Sequence, residues 1–262
     1  SLKTAYMRTV LKYIKDSGKR AVINYDIESE QVVQASELKE RSFDEIILSR
    51  FAPYIGKDYK EISAMLNKEE SRSKSKYFDI ANHIVSPDVS NVNRSEEFLK
   101  AGLTMKTIRV EENGRIKESM SFENIDYEEV YENENWYDSR LYELFTSRFL
   151  FVVYRRDPDR SILVNGKEEK RYILDKVFFW TMPLDDVDLA EEYWQNIRQS
   201  VLENHIAPQY FWKMGDHKCF HVRPKGKVAT DLTYNPNGGY AKKYCYWFNN
   251  EYVKKIIESN EK

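Results

Sequence analysis

Cysteine is nearly absent. Cys219 and Cys245 are the only thiols in 262 residues, too few for a disulfide framework, and a reducing cytoplasm is the expected setting. No apolar run reaches the roughly 18 residues that a membrane-crossing helix needs, so no membrane partner is expected. Lys3, Arg8, Lys12 and Lys15 stand among apolar positions near the N-terminus, but no apolar core or cleavage site follows them, so no secretory leader is expected. The chain begins at Ser1 rather than Met and is expected to be a piece or processed form of something longer. Nine glycines and seven prolines argue against a low-complexity chain. Internal repeats and a clear linker are also missing. A formal net charge of −2 does not by itself point to a polyanionic partner.

What is present is a large apolar and aromatic content and an uneven distribution of charge. Hydrophobic residues make up 41% and aromatics 14% of the chain, ample for a packed core. Nineteen tyrosines exceed what a core needs, so some should lie on a contact surface. Between Glu118 and Glu143 nine acids face one base, Arg140. Between Lys213 and Lys243 seven bases face two acids, Asp216 and Asp231. The near-neutral total therefore hides one basic region.

Local signals predict a mixed α/β chain. An amphipathic helix is expected over 2–14 and a strand over 20–26. Ser42 with Glu45 reads as a capping box, opening a helix that runs to about Phe51. Asp58 caps a second helix through Asn67, and 77–85 is helical by spacing. Ser71 to Lys76 is a basic, serine-rich loop. Leu103 to Val110 is β-rich, and Glu112-Asn113-Gly114-Arg115 predicts a hairpin turn with Ile116 to Phe122 as the returning strand. Residues 137–145 fit a helix. The apolar run 148–154 reads as a central strand, Asn165-Gly166 as a turn, and 172–182 as a second buried strand. Residues 185–204 form a long helix with Val187, Ala190, Trp194, Ile197 and Val201 inward. A strand over 218–223 and a helix over 249–258 close the chain.

The stretch from Ser95 to Ile108 carries the most chemistry. Metal-dependent nucleases hold a divalent cation with clustered carboxylates and place a lysine beside the scissile phosphate. Here Glu97 precedes a strand that reaches Lys106, but Thr104 stands where the second acid belongs.

With the surrounding blocks in their order, this stretch resembles the MutH and Sau-three-A family of GATC-specific endonucleases. The closest likeness is to the C-terminal MutH-like half of GATC-cutting type II restriction enzymes. The blocks are Ser75 to Val85, Glu97 to Ile108, Trp136 to Leu141 leading into Phe149-Leu150-Phe151-Val152, Phe220 to Lys225, and Gly239 to Lys243. The resemblance implies a restriction-endonuclease-like fold, a central mixed sheet flanked by helices with a DNA-binding cleft. It implies a DNA-binding domain over 42–262, with 1–41 leading from a missing N-terminal half.

Active members have Asp where Glu97 stands and Glu where Thr104 stands. They keep the lysine, as at Lys106, and have a Glu at the position of Asn82 and a Lys at that of Leu144. No catalytic residue and no resident metal is therefore expected in this chain, while the intact enzyme it resembles uses Mg²⁺. The reading side is implied to persist. Arg223 would donate to guanine, with Lys225 in support and Pro224 and Lys227 beside it, and Tyr240 would contact the adenine or thymine step. Lys242 and Lys243 would follow phosphates, and Arg72, Lys74 and Lys76 are expected to join them along one cleft.

Plainer readings stand beside these. Thr104-Met105-Lys106 is also an ordinary strand with a surface lysine, and the basic turn at 223–227 a solvated charge run. His217, Cys219 and His221 alternate on one strand but lack zinc-site spacing and a fourth ligand. Trp212, Tyr234, Tyr240, Tyr244 and Trp247 are expected as core or groove aromatics. The acidic stretch is expected as a solvated face. The expected function is duplex binding at GATC as the effector domain of a restriction enzyme, partnered by its N-terminal catalytic half. An active Mg²⁺-dependent endonuclease and a protein-interaction module are the alternatives.

Overall fold

The structure is a computed structural model and describes residues 31–116, 119–216, 219–226, 228 and 231–260. The expected helix over 2–14 and strand over 20–26 lie outside the described residues, as do His217, Lys218 and Lys227. The chain divides into two compact units, one running to Gly114 and resuming over Ser147–Thr181, the other covering Arg115–Thr146 and Met182 onward. It thus crosses between units three times, after Gly114, Thr146 and Thr181. Among the described residues no helix is long and apolar enough to cross a membrane.

The first unit contains α1 (Phe43–Phe51), α2 (Tyr59–Met65), α3 (Lys76–Val85), α4 (Glu96–Ala101) and strands β1 (Leu103–Val110), β3 (Arg148–Val164) and β4 (Lys167–Thr181). Ser42 and Glu45 form the reciprocal capping box on α1, and Asp58 with Glu61 does the same for α2. Each satisfies amide groups that a helix start leaves open. The sheet order is β1-β3-β4, with β1 parallel to β3 and β3 antiparallel to β4, so the expected mixed sheet is present. Asn165 and Gly166 both have positive φ, at 52° and 74°. That is the backbone a two-residue hairpin turn demands, and it lets β3 and β4 run far beyond the apolar segments that announced them.

Met105, Leu150, Val152, Tyr154 and Leu174 face the helices in one core with Ile47, Phe51, Ile80 and Val85. Because side chains alternate across a strand, Thr104 and Lys106 lie on the opposite face, beside their register partners Phe149 and Phe151.

The second unit holds β2 (Met120–Asn124), α5 (Tyr127–Glu132), α6 (Arg140–Phe145), α7 (Leu184–Leu202), β5 (Phe220–Pro224), β6 (Leu232–Asn235), β7 (Gly239–Lys242), β8 (Tyr244–Phe248) and α8 (Asn250–Ser259). Its sheet is β2-β8-β5, antiparallel throughout, and β6-β7 is a separate two-stranded ribbon. Phe145, Phe220, Phe248 and Tyr193 pack ring on ring in its core.

Three expectations need correction. The turn at 111–114 exists, with Gly114 N–H donating to Glu111 O at 2.9 Å, but Ile116 to Phe122 does not return along β1. β1 takes β3 as its neighbour instead, and β2 pairs with β8 in the other unit. The predicted helix over 137–145 is broken at Ser139. This residue caps α6 by accepting from Tyr142 N–H at 3.1 Å, and a 3-10 turn, Trp136–Asp138, precedes it. The helix after Asp58 stops at Met65 rather than Asn67.

Candidate DNA-reading surface and the degenerate metal positions

Two of the positions at which the resemblance implies metal ligands, Asn82 and Glu97, carry side chains with hydrogen bonds of their own. Asn82, on α3, is buried. Its Nδ2 donates to Val89 O at 2.6 Å and its Oδ1 accepts from Val92 N–H at 2.7 Å, so one amide shapes the 89–92 loop. The partners fix the orientation, since a carbonyl must accept and an N–H must donate. A carboxylate could serve only the second bond.

Glu97 lies on α4, whose end is marked by Gly102 in the left-handed region at φ 58°. That cap turns the chain directly into β1. Glu97 Oε1 accepts from Val32 N–H at 2.9 Å, whereas Oε2 is buried without a partner among the described residues. Asn93 clamps the free edge of β1 beside Thr104 and Lys106. It accepts from Met105 N–H at 2.6 Å and donates to Met105 O at 3.1 Å. Leu144 is buried on α6 in the core of the second unit.

The side chains at the five positions therefore supply one carboxylate, one amide, one hydroxyl, one amine and one alkyl group. Among the described residues no three His, Cys, Asp or Glu side chains converge where a metal could be held. Mg²⁺ sheds water reluctantly and is normally held by carboxylates together with phosphate oxygens. The donors at these five positions do not by themselves fit a resident Mg²⁺.

Of the described basic residues assigned to reading, Arg223 and Lys225 come together in the second unit. Arg223 and Lys225 are exposed at the end of β5. Both lie over the ring of Trp247 on β8, the guanidinium carbon of Arg223 at 5.6 Å and Lys225 Nζ at 5.5 Å from its centroid. Lys225 Nζ also donates to Phe122 O at 3.2 Å, and its N–H donates to Lys243 O at 3.1 Å. Pro224 is the exposed last residue of β5, paired with Tyr244.

The β6-β7 ribbon carries Tyr240, 73% exposed, and its register partner Tyr234, 49% exposed. Their rings meet edge to face at 6.2 Å. The ribbon is rooted at both ends. Asn237 Nδ2 donates to Val201 O and Leu202 O at the C-terminus of α7, at 3.1 and 2.7 Å. Tyr127 Oη donates to Lys242 O at 2.6 Å. Lys242 is exposed, whereas Lys243 is ion-paired with Asp231 at 2.5 Å and is not simply a cation awaiting phosphate. Of the aromatics expected in core or groove, Tyr244 is core, whereas Tyr234 and Tyr240 stand exposed on the ribbon, outside the core.

Arg72 and Lys74 are exposed in the serine-rich loop of the first unit. Lys76 opens α3 with its Nζ over the rings of Tyr59 and Tyr77, at 4.7 and 5.2 Å. Burial, with Arg109 and Arg171 nearby, pushes its ammonium below the ordinary lysine range. The acidic stretch is only partly a solvated face. Arg140 makes a two-pronged bond to Glu123, at 2.7 and 2.9 Å, and one to Glu143 at 2.8 Å. Glu129 accepts from Arg140 N–H at 2.6 Å.

Residues 89–191 match the family model described as DNA mismatch repair enzyme MutH. That stretch is MutH-like. That segment contains Glu97, Thr104, Lys106, Leu144 and the whole β1-β3-β4 sheet, and the mixed sheet flanked by helices is the restriction-endonuclease-like arrangement of such a domain. The chain is also 27% identical to the type II restriction enzyme Sau3AI of Staphylococcus aureus over 319 residues, a match that takes in 98% of the chain. The chain spans 58% of the length of that relative.

Proposed function

We propose that this chain binds duplex DNA sequence-specifically at GATC and serves as the effector domain of a type II restriction enzyme whose cutting half lies outside it, in a reducing cytoplasm. The observation that carries the reading is the seating of Arg223 and Lys225 side by side on Trp247, near a rooted ribbon that presents Tyr240 and Tyr234. An arginine held in place is the commonest bidentate donor to guanine in the major groove. The exposed Lys242, and in the first unit the exposed Lys74 and the half-buried Lys76, would supply phosphate contacts that position without specifying. Occupying a GATC copy here would favour a cutting-competent state of the other half only if that state binds the copy more tightly. Mg²⁺ would belong to that other half. The free thiols of Cys219 and Cys245 support the reducing setting.

Fluorescence anisotropy with GATC and scrambled duplexes of equal length, with and without Mg²⁺, tests the reading. Tighter binding to GATC in both conditions is expected. Equal affinity for the two duplexes would overturn it.

One observation favours a second reading, an endonuclease that borrows further carboxylates from elsewhere. Glu97 Oε2 is buried without a partner among the described residues, and Lys106 stands on the neighbouring strand. Nicking of supercoiled plasmid that vanishes with Lys106→Ala would establish that reading and displace the first.

A further inference from the structure

We propose that Trp247 is a positioning residue for sequence reading, its indole holding Arg223 and Lys225 as a pre-set pair. The role rests on the DNA-binding function proposed above. β8 is the middle strand of its sheet, so Trp247 has Ser121 of β2 opposite it on one side and His221 of β5 on the other. With the alternation of a strand, His221 and Arg223 share the face of β5 that meets Trp247. The indole thus receives the imidazole stacked at 6.0 Å and 21°, and the two cations at 5.6 and 5.5 Å.

The platform is itself fixed from behind. His221 Nδ1 is hydrogen-bonded to Asn249 Oδ1. Asn249 Nδ2 donates to Met214 O at 3.3 Å, and Asn249 N–H donates to Cys219 O at 2.8 Å. The imidazole is buried, which keeps it uncharged, so it does not compete with the cations for the indole. Of the three ring types, Trp attracts cations best. Arginine carries many rotamers, and a bidentate contact to one base edge uses few of them. Holding the guanidinium before DNA arrives removes that ordering cost from the binding step. Lys225 is held a second time, by its bond to Phe122 O.

The test compares the unaltered chain with Trp247→Leu and Trp247→Phe. Dissociation constants for GATC and scrambled duplexes are measured across a salt series, with thermal melting as the check on folding. Losing two cation–π contacts should narrow the GATC preference about tenfold in Trp247→Leu. The salt dependence should stay unchanged, because no charge is lost. Trp247→Phe should retain most of the preference. A Leu variant that weakens both duplexes equally, or leaves the preference intact, overturns the proposal.

Side-chain NMR of the DNA-free protein gives a second reading if the Leu variant fails to fold. The Arg223 Hε signal, assigned through Arg223→Lys, should be shifted upfield by the indole ring current, and an unshifted signal overturns the proposal. Equal affinity of the unaltered chain for the two duplexes sinks the DNA-reading function and the positioning role with it. The NMR signal still separates that failure from a failure of the platform.

Discussion

Asn82 and Val92 are joined by a 2.7 Å bond in which the side-chain carbonyl accepts the loop N–H, while the same amide donates to Val89 O at 2.6 Å. The one amide thus serves both a carbonyl and an N–H, which an ionised carboxylate cannot do. Putting an acid there should therefore cost stability. Asn82→Asp orphans the Val89 carbonyl, at about 1–3 kcal/mol, and adds the larger penalty of a buried charge. Urea unfolding should show a loss of at least about 2 kcal/mol, and no change would mean that the amide clamp contributes nothing.

Cutting should likewise stay absent when acids are restored. The double variant Asn82→Glu, Thr104→Glu supplies two carboxylates but takes apart the 89–92 loop that lies between α3 and Glu97. Its incubation with supercoiled plasmid in Mg²⁺ or Mn²⁺ should leave the plasmid intact. Robust nicking would show that the added carboxylates can reach a productive metal geometry.

How much of this was legible in the sequence depends on how local the cause is. The capping box at Ser42, the helix cap at Asp58, the Asn165-Gly166 turn and the apolar run of β3 each arise within a few residues, and each was readable. The pairing of β2 was not, because its partner β8 lies near the other end of the chain and the Asn113-Gly114 turn looks the same whether or not a hairpin follows. The cations at 223, 225, 242 and 243 were readable only as a list. That Arg223 and Lys225 share one indole follows from strand register, which composition does not encode. The same holds for the neutralising contact between Lys243 and Asp231.

That contact separates two lysines that look equivalent in sequence. Lys242 is exposed and Lys243 is paired with Asp231. If both units of charge met phosphate, each alanine variant would lower the salt slope by about 1. The expected outcome is instead that Lys242→Ala does so, while Lys243→Ala changes the slope less and lowers the melting temperature by loosening the 225–243 segment. Equal slope changes would place Lys243 on phosphate after all.

His221 gives a pH signature. Burial pushes its imidazole down from the ordinary 6.5 to about 4, against a raising contribution from the bond to Asn249. As pH falls below about 6.5 the unfolded chain takes up a proton that the folded chain refuses, so unfolding becomes easier. The loss continues until pH nears about 4, where the folded form also protonates, and amounts to about 2–3 kcal/mol. Above pH 6.5 the group contributes no slope. Urea unfolding at pH 7 and pH 4.5 should therefore show a steeper decline for the unaltered chain than for His221→Phe. Parallel declines would mean that the imidazole protonates freely in the fold.

The decisive comparison concerns Arg223. Its guanidinium can donate two parallel hydrogen bonds to guanine O6 and N7, and alanine offers none, so Arg223→Ala should lose about 1–3 kcal/mol of discrimination at that base. Non-specific affinity rests on the remaining cations and should fall much less. GATC and scrambled duplexes should therefore approach one another in affinity, measured at one fixed salt concentration. Tyr240→Phe should do less, because the exposed ring on the ribbon is retained and only the hydroxyl goes. Arg223→Lys supplies a further control, since it keeps the charge over Trp247 but cannot make the two-pronged contact. It should preserve scrambled-duplex affinity and still lose discrimination. If Arg223→Ala weakens both duplexes by the same factor, Arg223 contacts phosphate rather than a base, and β5 is not the strand that reads the sequence.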